Sequence, residues 1–265
     1  MSETESSFSR IALRIREGIA EMTFVDRGRP NVIDARCCVE IAEAAAQIAA
    51  APGLKAVLLG AQGKVFCVGG DIQDFLANRD HLSDHVFGMA STIHRGVNAL
   101  HDLAVPVIAA VNGMAAGGGF SLVCGADLVI ASRSATFNSA YTKTGLTPDA
   151  GGTYFLPRIV GIRRAFDLLA TNPTLTADEA CRLGIVSRVV DDDAFETEVA
   201  KLVQKVREMP GDVLAALKGL LRTSLDSSLS AHLDAETAAI AAQTAKPEIL
   251  NALVAFLGKK AGRSA

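Results

Sequence analysis

The chain has 265 residues, of which 49% are hydrophobic and 21% are charged, a balance typical of a folded globular protein with a sizeable core. A net charge of −3 argues against nucleic acid as a partner, and the lack of a long apolar run argues against a membrane span. Five cysteines without CxxC spacing, behind a polar N-terminal stretch, favour reduced thiols and a cytoplasmic protein without a signal peptide.

Up to Val190, the sequence alternates short apolar runs with stretches of helical spacing. The patterns predict a hairpin over 11–16 and 19–25, helices over 36–51 and 81–103, and strands over 56–59, 65–68, 105–111 and 128–131. Shorter helical segments are predicted after Asp71, over 120–124 and over 151–156. Repeated alternation of this kind predicts an α/β fold with parallel strands and right-handed crossovers.

The rest of the sequence reads as helical. We expect the acidic run 191–193 to cap the first of four helices, because negative charge is favourable at a helix N-terminus. The helices are predicted to extend to 209 and then over 212–225, 228–244 and 247–259. We therefore divide the chain into an α/β core, residues 1–195, and a C-terminal helical subdomain, residues 196–265.

Two glycine-rich turns are candidates for chemistry. Gly69 and Gly70 lie between a predicted strand and Asp71, and glycines 117–119 lie between a strand and a helix start. Peptide N–H groups at such turns lack intrahelical acceptors, so two facing turns would aim two donors at one oxygen atom. That arrangement is an oxyanion hole, worth about 2.7–4 kcal/mol per donor. Glycines at tight strand–helix turns more often serve packing, and each cluster alone favours packing.

Asp149 is the third candidate. It stands in the turn GLTPDAGGT, directly ahead of a predicted helix. A Pro-Asp turn is ordinary turn and N-cap chemistry, whereas a carboxylate beside an oxyanion hole would act as an acid or base. The residues alone leave both interpretations open. As a base, Asp149 would need an apolar surround, since desolvation makes a carboxylate a stronger base.

Six ordered segments resemble the crotonase family, also called the enoyl-CoA hydratase/isomerase family, along nearly the whole chain. They are RGRPNVID, FCVGGDI, VPVIAAVNGMAAGGGF, ADLVIAS, PDAGGTYFLPRIVG and EACRLGIVSRVV. The resemblance implies a spiral core of repeated ββα units and C-terminal helices that build homotrimers, or hexamers as dimers of trimers. It also implies an acyl-CoA thioester substrate, with coenzyme A arriving as part of that substrate and no permanently bound cofactor or metal.

The same resemblance implies roles for particular residues. The N–H groups of Gly70 and Gly118 would polarise the thioester carbonyl. Coenzyme A would run past four residues. Its nucleotide phosphates would contact a basic side chain near the C-terminus. The four residues are Asn31, Val32, Asp71 and Ile72, and the basic side chain is Lys259 or Lys260.

At two positions the sequence departs from the hydratases of the family. Their two glutamates align with Ser121 and Tyr141, so ordinary two-glutamate hydration has no support. The segment SATFNSAYTKTGLTPDAGGTYFLPRIVG resembles isomerases of phenylacetate breakdown, in which an aspartate at the Asp149 position moves a proton. The resemblance therefore favours an isomerase, in which Asp149 takes a proton α to the thioester and returns it at the γ carbon.

A second resemblance points to another reaction. The segment IVGIRRAFDLLATNPTLTADEACRLGIVSRVV is similar to the 4-chlorobenzoyl-CoA dehalogenases. In those enzymes the aspartate of this turn is a nucleophile, a histidine aligns with His94, and a tryptophan aligns with Tyr141. We treat His94, Tyr141 and Ser121 as candidate pocket residues without an assigned step. A hydrolytic dehalogenase, an enoyl-CoA hydratase and a non-catalytic acyl-CoA-binding homologue are the alternatives to the isomerase.

Overall fold

The computed structural model describes residues 4–25 and 27–261, without the side chains of Thr4, Ser7, Glu248 and residues 257–261. Contacts divide the chain into two compact units, Met1–Glu208 and Met209–Ala265. The predicted division at residue 195 would instead assign the helix Phe195–Arg207 to the C-terminal part.

The strands of the first unit form two sheets. They are β1 (Thr4–Ser7), β2 (Ile11–Arg16), β3 (Ile19–Phe24), β4 (Ala56–Ala61), β5 (Val65–Cys67), β6 (Val107–Val111), β7 (Met114–Ala116), β8 (Leu128–Ser132), β9 (Thr136–Asn138), β10 (Leu175–Thr176) and β11 (Arg188–Val190). The larger sheet has the order β1-β2-β3-β4-β6-β8-β11, antiparallel in its first two pairs and parallel from β3 onward. The smaller sheet has the order β10-β9-β7-β5 and is parallel except for β10.

The helices alternate with the strands and then continue alone. They are α1 (Ala35–Ala50), α2 (Ile72–Ala77), α3 (Leu82–Asp102), α4 (Gly118–Cys124), α5 (Gly152–Val160), α6 (Ile162–Thr171), α7 (Ala177–Arg182), α8 (Phe195–Arg207), α9 (Gly211–Thr223), α10 (Leu229–Thr244) and α11 (Pro247–Ala261). From β4 onward the chain repeatedly gives one strand to each sheet and then a helix, which is a ββα repeat. The predicted α/β fold with a repeated ββα core and C-terminal helices is confirmed. A helix with the length and apolar character of a membrane span does not occur among the described residues.

Burial explains why these elements pack as they do. In α1 the residues that recur at helical spacing, such as Ile41, Ala44 and Ile48, have no exposed surface. Asp34 caps this helix by accepting a hydrogen bond from the Cys37 N–H at 2.7 Å. Every residue of the inner strand β6 is buried, as expected for a parallel strand covered on both faces.

The expected cap of α8 was wrong. The N-cap of this helix is Ala194, which makes no side-chain capping bond. Asp191 instead accepts a hydrogen bond from Arg133 Nε at 2.7 Å, and Asp192 accepts one from the Ser134 N–H at 3.0 Å. The acidic run therefore holds the end of β11 to the loop after β8, a tertiary contact that competes with local capping.

Candidate active site

The site lies where three parallel strands of the smaller sheet end. β5 is followed by the turn with Gly69 and Gly70, β7 by the turn with Gly117 and Gly118, and β9 by a 3-10 turn that begins at Tyr141. The carboxyl ends of neighbouring parallel strands lie at one edge of a sheet, where ligands bind in α/β folds. The fold thus brings the two predicted glycine turns together.

The two glycine turns touch through their main chains. Gly69 has a φ of +89°, and a Cβ at this position would lie 3.0 Å from both the Ala116 oxygen and the Gly118 nitrogen. Only glycine combines this left-handed conformation with so close an approach of two backbones. The packing interpretation of these glycines is therefore correct, and it is also what sets the two turns side by side.

Both predicted oxyanion-hole donors point away from their own secondary structure. The Ile33 N–H bonds to the Gly69 oxygen at 2.8 Å, and the Asp71 N–H bonds to the Ile33 oxygen at 3.0 Å. A parallel bridge of this pattern turns the N–H of Gly70 to the opposite side of the chain. Gly118 is the first residue of α4, where an N–H has no intrahelical acceptor. Neither N–H has an acceptor among the described residues.

Gly70 and Gly118 line one cavity of about 370 Å³ together with Asp149 and Tyr141. Most other lining residues are apolar, and they come from the chain before α1, α1 itself, the β5–α2 turn, α2, α3, the end of the β9 segment and the loop before α5. These are Ile33, Cys38, Val68, Ile72, Phe75, Val86, Met89, Ala90, Ile93, Ala140 and Leu146. Asp149 is the only carboxylate among the described lining residues, and the apolar surround expected for it is present.

Two hydroxyl groups stand behind the Asp149 carboxylate. The Tyr141 hydroxyl donates a hydrogen bond to Oδ1 of Asp149, and the buried Ser121 Oγ lies 3.4 Å from the Tyr141 hydroxyl. Burial, together with the Asp149 charge and this hydrogen bond, raises the pKa of Tyr141 well above its usual range. The phenol therefore keeps its proton and acts as a donor. The second oxygen of Asp149, Oδ2, has no hydrogen-bond partner among the described residues.

The turn that carries Asp149 is held in an uncommon conformation. Ala150 has a φ of 49° and Gly151 a φ of 84°, both left-handed. Such a conformation in a non-glycine residue costs about 1–3 kcal/mol, so the surroundings must hold it. His94 of α3 does so: its Nε2 accepts the Ala150 N–H at 3.2 Å. The His94 ring is thus next to the predicted catalytic turn but does not line the cavity.

Comparison with known proteins identifies the family of this chain. The family model of enoyl-CoA hydratase/isomerase matches residues 14–263. The chain belongs to that family. A 1,2-epoxyphenylacetyl-CoA isomerase of Escherichia coli (strain K12) is 33% identical over 229 residues, which are 85% of this chain and 87% of that protein. A 4-chlorobenzoyl coenzyme A dehalogenase of Arthrobacter sp is 28% identical over 263 residues, 99% of this chain and 95% of that protein.

The solved structures of the enoyl-CoA hydratase/isomerase family agree with the fold described above. An enoyl-CoA hydratase/isomerase from Cupriavidus metallidurans CH34 superposes with a TM-score of 0.85 at 30% identity, covering 96% of this chain and 95% of that chain. The chain is therefore an enzyme-family member along nearly its whole length, and relatives of more than one activity share its scaffold.

The residues that the family resemblance assigns to coenzyme A do not all line the cavity that contains Asp149. Ile72 lines the cavity, whereas Asn31 and Val32 lie on a separate small cleft beside Arg29. The Asn31 side chain donates to two main-chain oxygens, at 3.1 and 2.9 Å, and so holds its own loop against the end of β4 and the start of β5. Asp71 caps α2 and pairs with Arg29 at 3.1 Å. Their contact with coenzyme A stays a prediction, and the Lys259 side chain lies outside the described residues.

The sequence interpretation missed the wall that α3 contributes. Val86, Met89, Ala90 and Ile93 all face the cavity. Their positions follow the helical pattern i, i+3, i+4 and i+7, which was available in the sequence as an apolar stripe. Phe75 of α2 also belongs to the site. A Cβ at Gly70 would lie 2.9 Å from its ring, so the ring covers the Gly70 turn.

Proposed function

We propose that this chain is an acyl-CoA isomerase that moves a double bond toward a coenzyme A thioester. The substrate class follows from the family and from the names of its relatives, which act on coenzyme A esters. The apolar cavity suits an uncharged acyl group. Coenzyme A enters as part of the substrate, and the reaction consumes no further co-reactant.

The chemistry needs one base and one site for a negative oxygen. Oδ2 of Asp149 takes the proton from C2 of a Δ3-enoyl thioester, and the electron pair moves into the carbonyl to give a dienolate. The N–H groups of Gly70 and Gly118 stabilise the dienolate oxygen. Asp149 then returns the same proton to C4 as the C2–C3 double bond forms, so that atoms and charge balance.

The presence of one carboxylate in the cavity supports isomerisation over hydration. A hydratase of this family uses two glutamates to hold and activate water, and the aligned positions here are Ser121 and Tyr141. These two side chains interact with each other, and Tyr141 hydrogen-bonds to Asp149. A single carboxylate suffices for an isomerase, because the reaction only relocates one proton.

Asp149→Asn tests the proposal. We expect kcat for Δ3-enoyl-CoA to fall by about 10²–10⁴-fold, the usual contribution of a general base. The assay follows the ultraviolet absorbance that appears as the double bond becomes conjugated with the thioester. Asp167→Asn is the matched control, because Asp167 is an exposed carboxylate on α6. Hydration of crotonyl-CoA without isomerisation of Δ3-enoyl-CoA, or coenzyme A binding without turnover that Asp149→Ala leaves unchanged, would refute the isomerase.

Hydrolytic dehalogenation is the second candidate, and the contact between His94 and the Asp149 turn is the observation that favours it. In this reaction Asp149 would attack a chlorinated ring carbon, chloride would leave, and water would cleave the aryl ester. However, the Nε2 lone pair of His94 is already used to accept the Ala150 N–H. We therefore expect 4-chlorobenzoyl-CoA to give neither chloride nor an Asp149 ester in acid-quenched mass spectra; both together would establish the dehalogenase.

A further inference from the structure

We infer that Tyr141 is a positioning residue for the Asp149 carboxylate, and that Ser121 acts through Tyr141. This inference rests on the proposed function, because it concerns the base of that reaction. Tyr141 begins the 3-10 turn after β9, and Ser121 lies in α4, so two separate elements converge behind one carboxylate. Tyr141 hydrogen-bonds to Oδ1 of Asp149, and Ser121 lies 3.4 Å from the Tyr141 hydroxyl.

The direction of the hydrogen bonds follows from the number of protons. A tyrosine hydroxyl has one proton, and an ionised carboxylate can only accept. The Tyr141 proton therefore points at Asp149, and the Tyr141 oxygen can only accept from Ser121. The order of donation is Ser121 to Tyr141 to Asp149. The raised pKa of Tyr141 agrees with this order, since a phenol that keeps its proton remains a donor.

The fold leaves space for this pair of hydroxyls. A Cβ at Gly152, the first residue of α5, would lie 2.6 Å from Ser121 Oγ, so the serine hydroxyl occupies volume that only a glycine leaves free. A Cβ at Gly118 would lie 3.6 Å from the Tyr141 hydroxyl. The Tyr141 N–H also bonds to the Ser139 oxygen at 2.8 Å, which fixes the start of the turn.

The two oxygens of Asp149 therefore have different roles. Oδ1 is held by Tyr141, while Oδ2 faces no protein donor among the described residues and is left for the substrate proton. Without the Tyr141 hydroxyl the carboxylate would rotate, and both oxygens would compete for the proton. Tyr141 thus aligns the base without itself touching the reacting carbons.

Tyr141→Phe removes the hydroxyl and keeps the ring. We expect kcat to fall about 10- to 100-fold, as for the loss of a hydrogen bond to a charged group, with KM changed less than twofold. Tyr154→Phe is the matched control, since Tyr154 is the other tyrosine of the chain and lies on the exposed side of α5.

Ser121→Ala tests the order of the chain of hydroxyls. Alone it should lower kcat by a few-fold, the usual effect of one neutral hydrogen bond. In the Tyr141→Phe background it should have no further effect, because Ser121 acts through the hydroxyl that is already absent. Additive losses in the double variant would overturn the role assigned to Ser121.

A measurement without substrate separates this inference from the proposed function. Tyrosine labelled with carbon-13 at Cζ gives two NMR signals, and Tyr154→Phe assigns them. At constant pH, the Tyr141 signal should shift in Asp149→Asn, which replaces the charged acceptor by a neutral amide, and should stay in place in Asp167→Asn. A Tyr141 signal that Asp149→Asn leaves in place would overturn the inference. A shift in a protein that isomerises no acyl-CoA would uphold the Tyr141–Asp149 contact and reject the isomerase.

Discussion

Glu40 is a buried carboxylate that holds the start of β2 against α1. It has no exposed surface, and its oxygens accept from the N–H groups of Ser9, Arg10 and Ile11 at 2.8, 2.6 and 3.1 Å. The Ser9 hydroxyl and Arg36 Nε also donate, at 2.7 and 2.8 Å. Burial raises the pKa of Glu40, but these donors outweigh it and lower the pKa to about 2.

This lowered pKa predicts a stability that depends on pH. Relative to the ordinary value of 4.5, a folded pKa of about 2 corresponds to roughly 3 kcal/mol of stabilisation from Glu40. A carboxylate with a depressed folded pKa stabilises above its unfolded pKa, and the effect is lost as the pH falls from about 4.5 toward 2. We therefore expect Glu40→Gln to destabilise the protein strongly at pH 7 and progressively less below pH 4.5.

Urea unfolding at several pH values measures the difference. Glu43→Gln is the matched control, because Glu43 is exposed on the same helix and should change the free energy of unfolding by less than about 0.5 kcal/mol. A difference between wild type and Glu40→Gln that stays constant from pH 7 to pH 3 would contradict the argument.

At the scale of elements, the close packing of α4 on β5 depends on Gly119. A Cβ at this position would lie 2.2 Å from the Cys67 oxygen and 2.7 Å from the Cys67 Cβ. Gly119→Ala should therefore destabilise the protein by about 3 kcal/mol or more, since buried main chain has to shift to admit the methyl group. The same shift would move Gly118, so activity should also fall.

Gly88 of α3 provides the opposite case. It is exposed in the middle of a helix, and a Cβ there would meet no atom within 4 Å. Gly88→Ala should stabilise the protein by about 0.5–1 kcal/mol through helix propensity. Thermal unfolding of Gly119→Ala and Gly88→Ala measures both effects. If both variants lost stability to a similar degree, the contact with Cys67 would not be the reason for a glycine at position 119.

The long elements could be predicted from sequence because their periodicity extends over many residues. The helix expected over 36–51 is α1, and the helix expected over 81–103 is α3. Most strands of the smaller sheet were missed. β7, β9 and β10 have two or three residues each, too few to show a period, and they form through pairing with strands distant in sequence.

The candidate site could likewise be predicted only in part. Glycine turns and a Pro-Asp turn are visible in the sequence, so Gly70, Gly118 and Asp149 could be named. The contact of Tyr141 with Asp149 could not be derived, because it depends on Ala140 and Ala150 in left-handed conformations. Alanine rarely adopts that conformation, and local propensity predicts another course for this loop.

At the scale of the whole molecule, α9 and α10 expose a row of large apolar side chains. Leu217, Leu221, Leu233 and Ile240 are 50, 65, 49 and 66% exposed. Neighbouring large apolar side chains that are this exposed are typical of an interaction site. It fits the expectation from the family resemblance that the C-terminal helices join copies of the chain into a trimer or hexamer, which stays a prediction.

Light scattering after size exclusion tests that expectation. The wild-type protein should have a mass of three or six times 27.6 kDa. Ile240→Glu should reduce the mass, because a charge in an apolar contact must be desolvated without a partner. Ala238→Glu adds the same charge two residues away, nearly on the opposite face of α10, and should leave the mass unchanged. A monomeric wild type, or equal effects of the two variants, would show that this row of side chains does not join the copies.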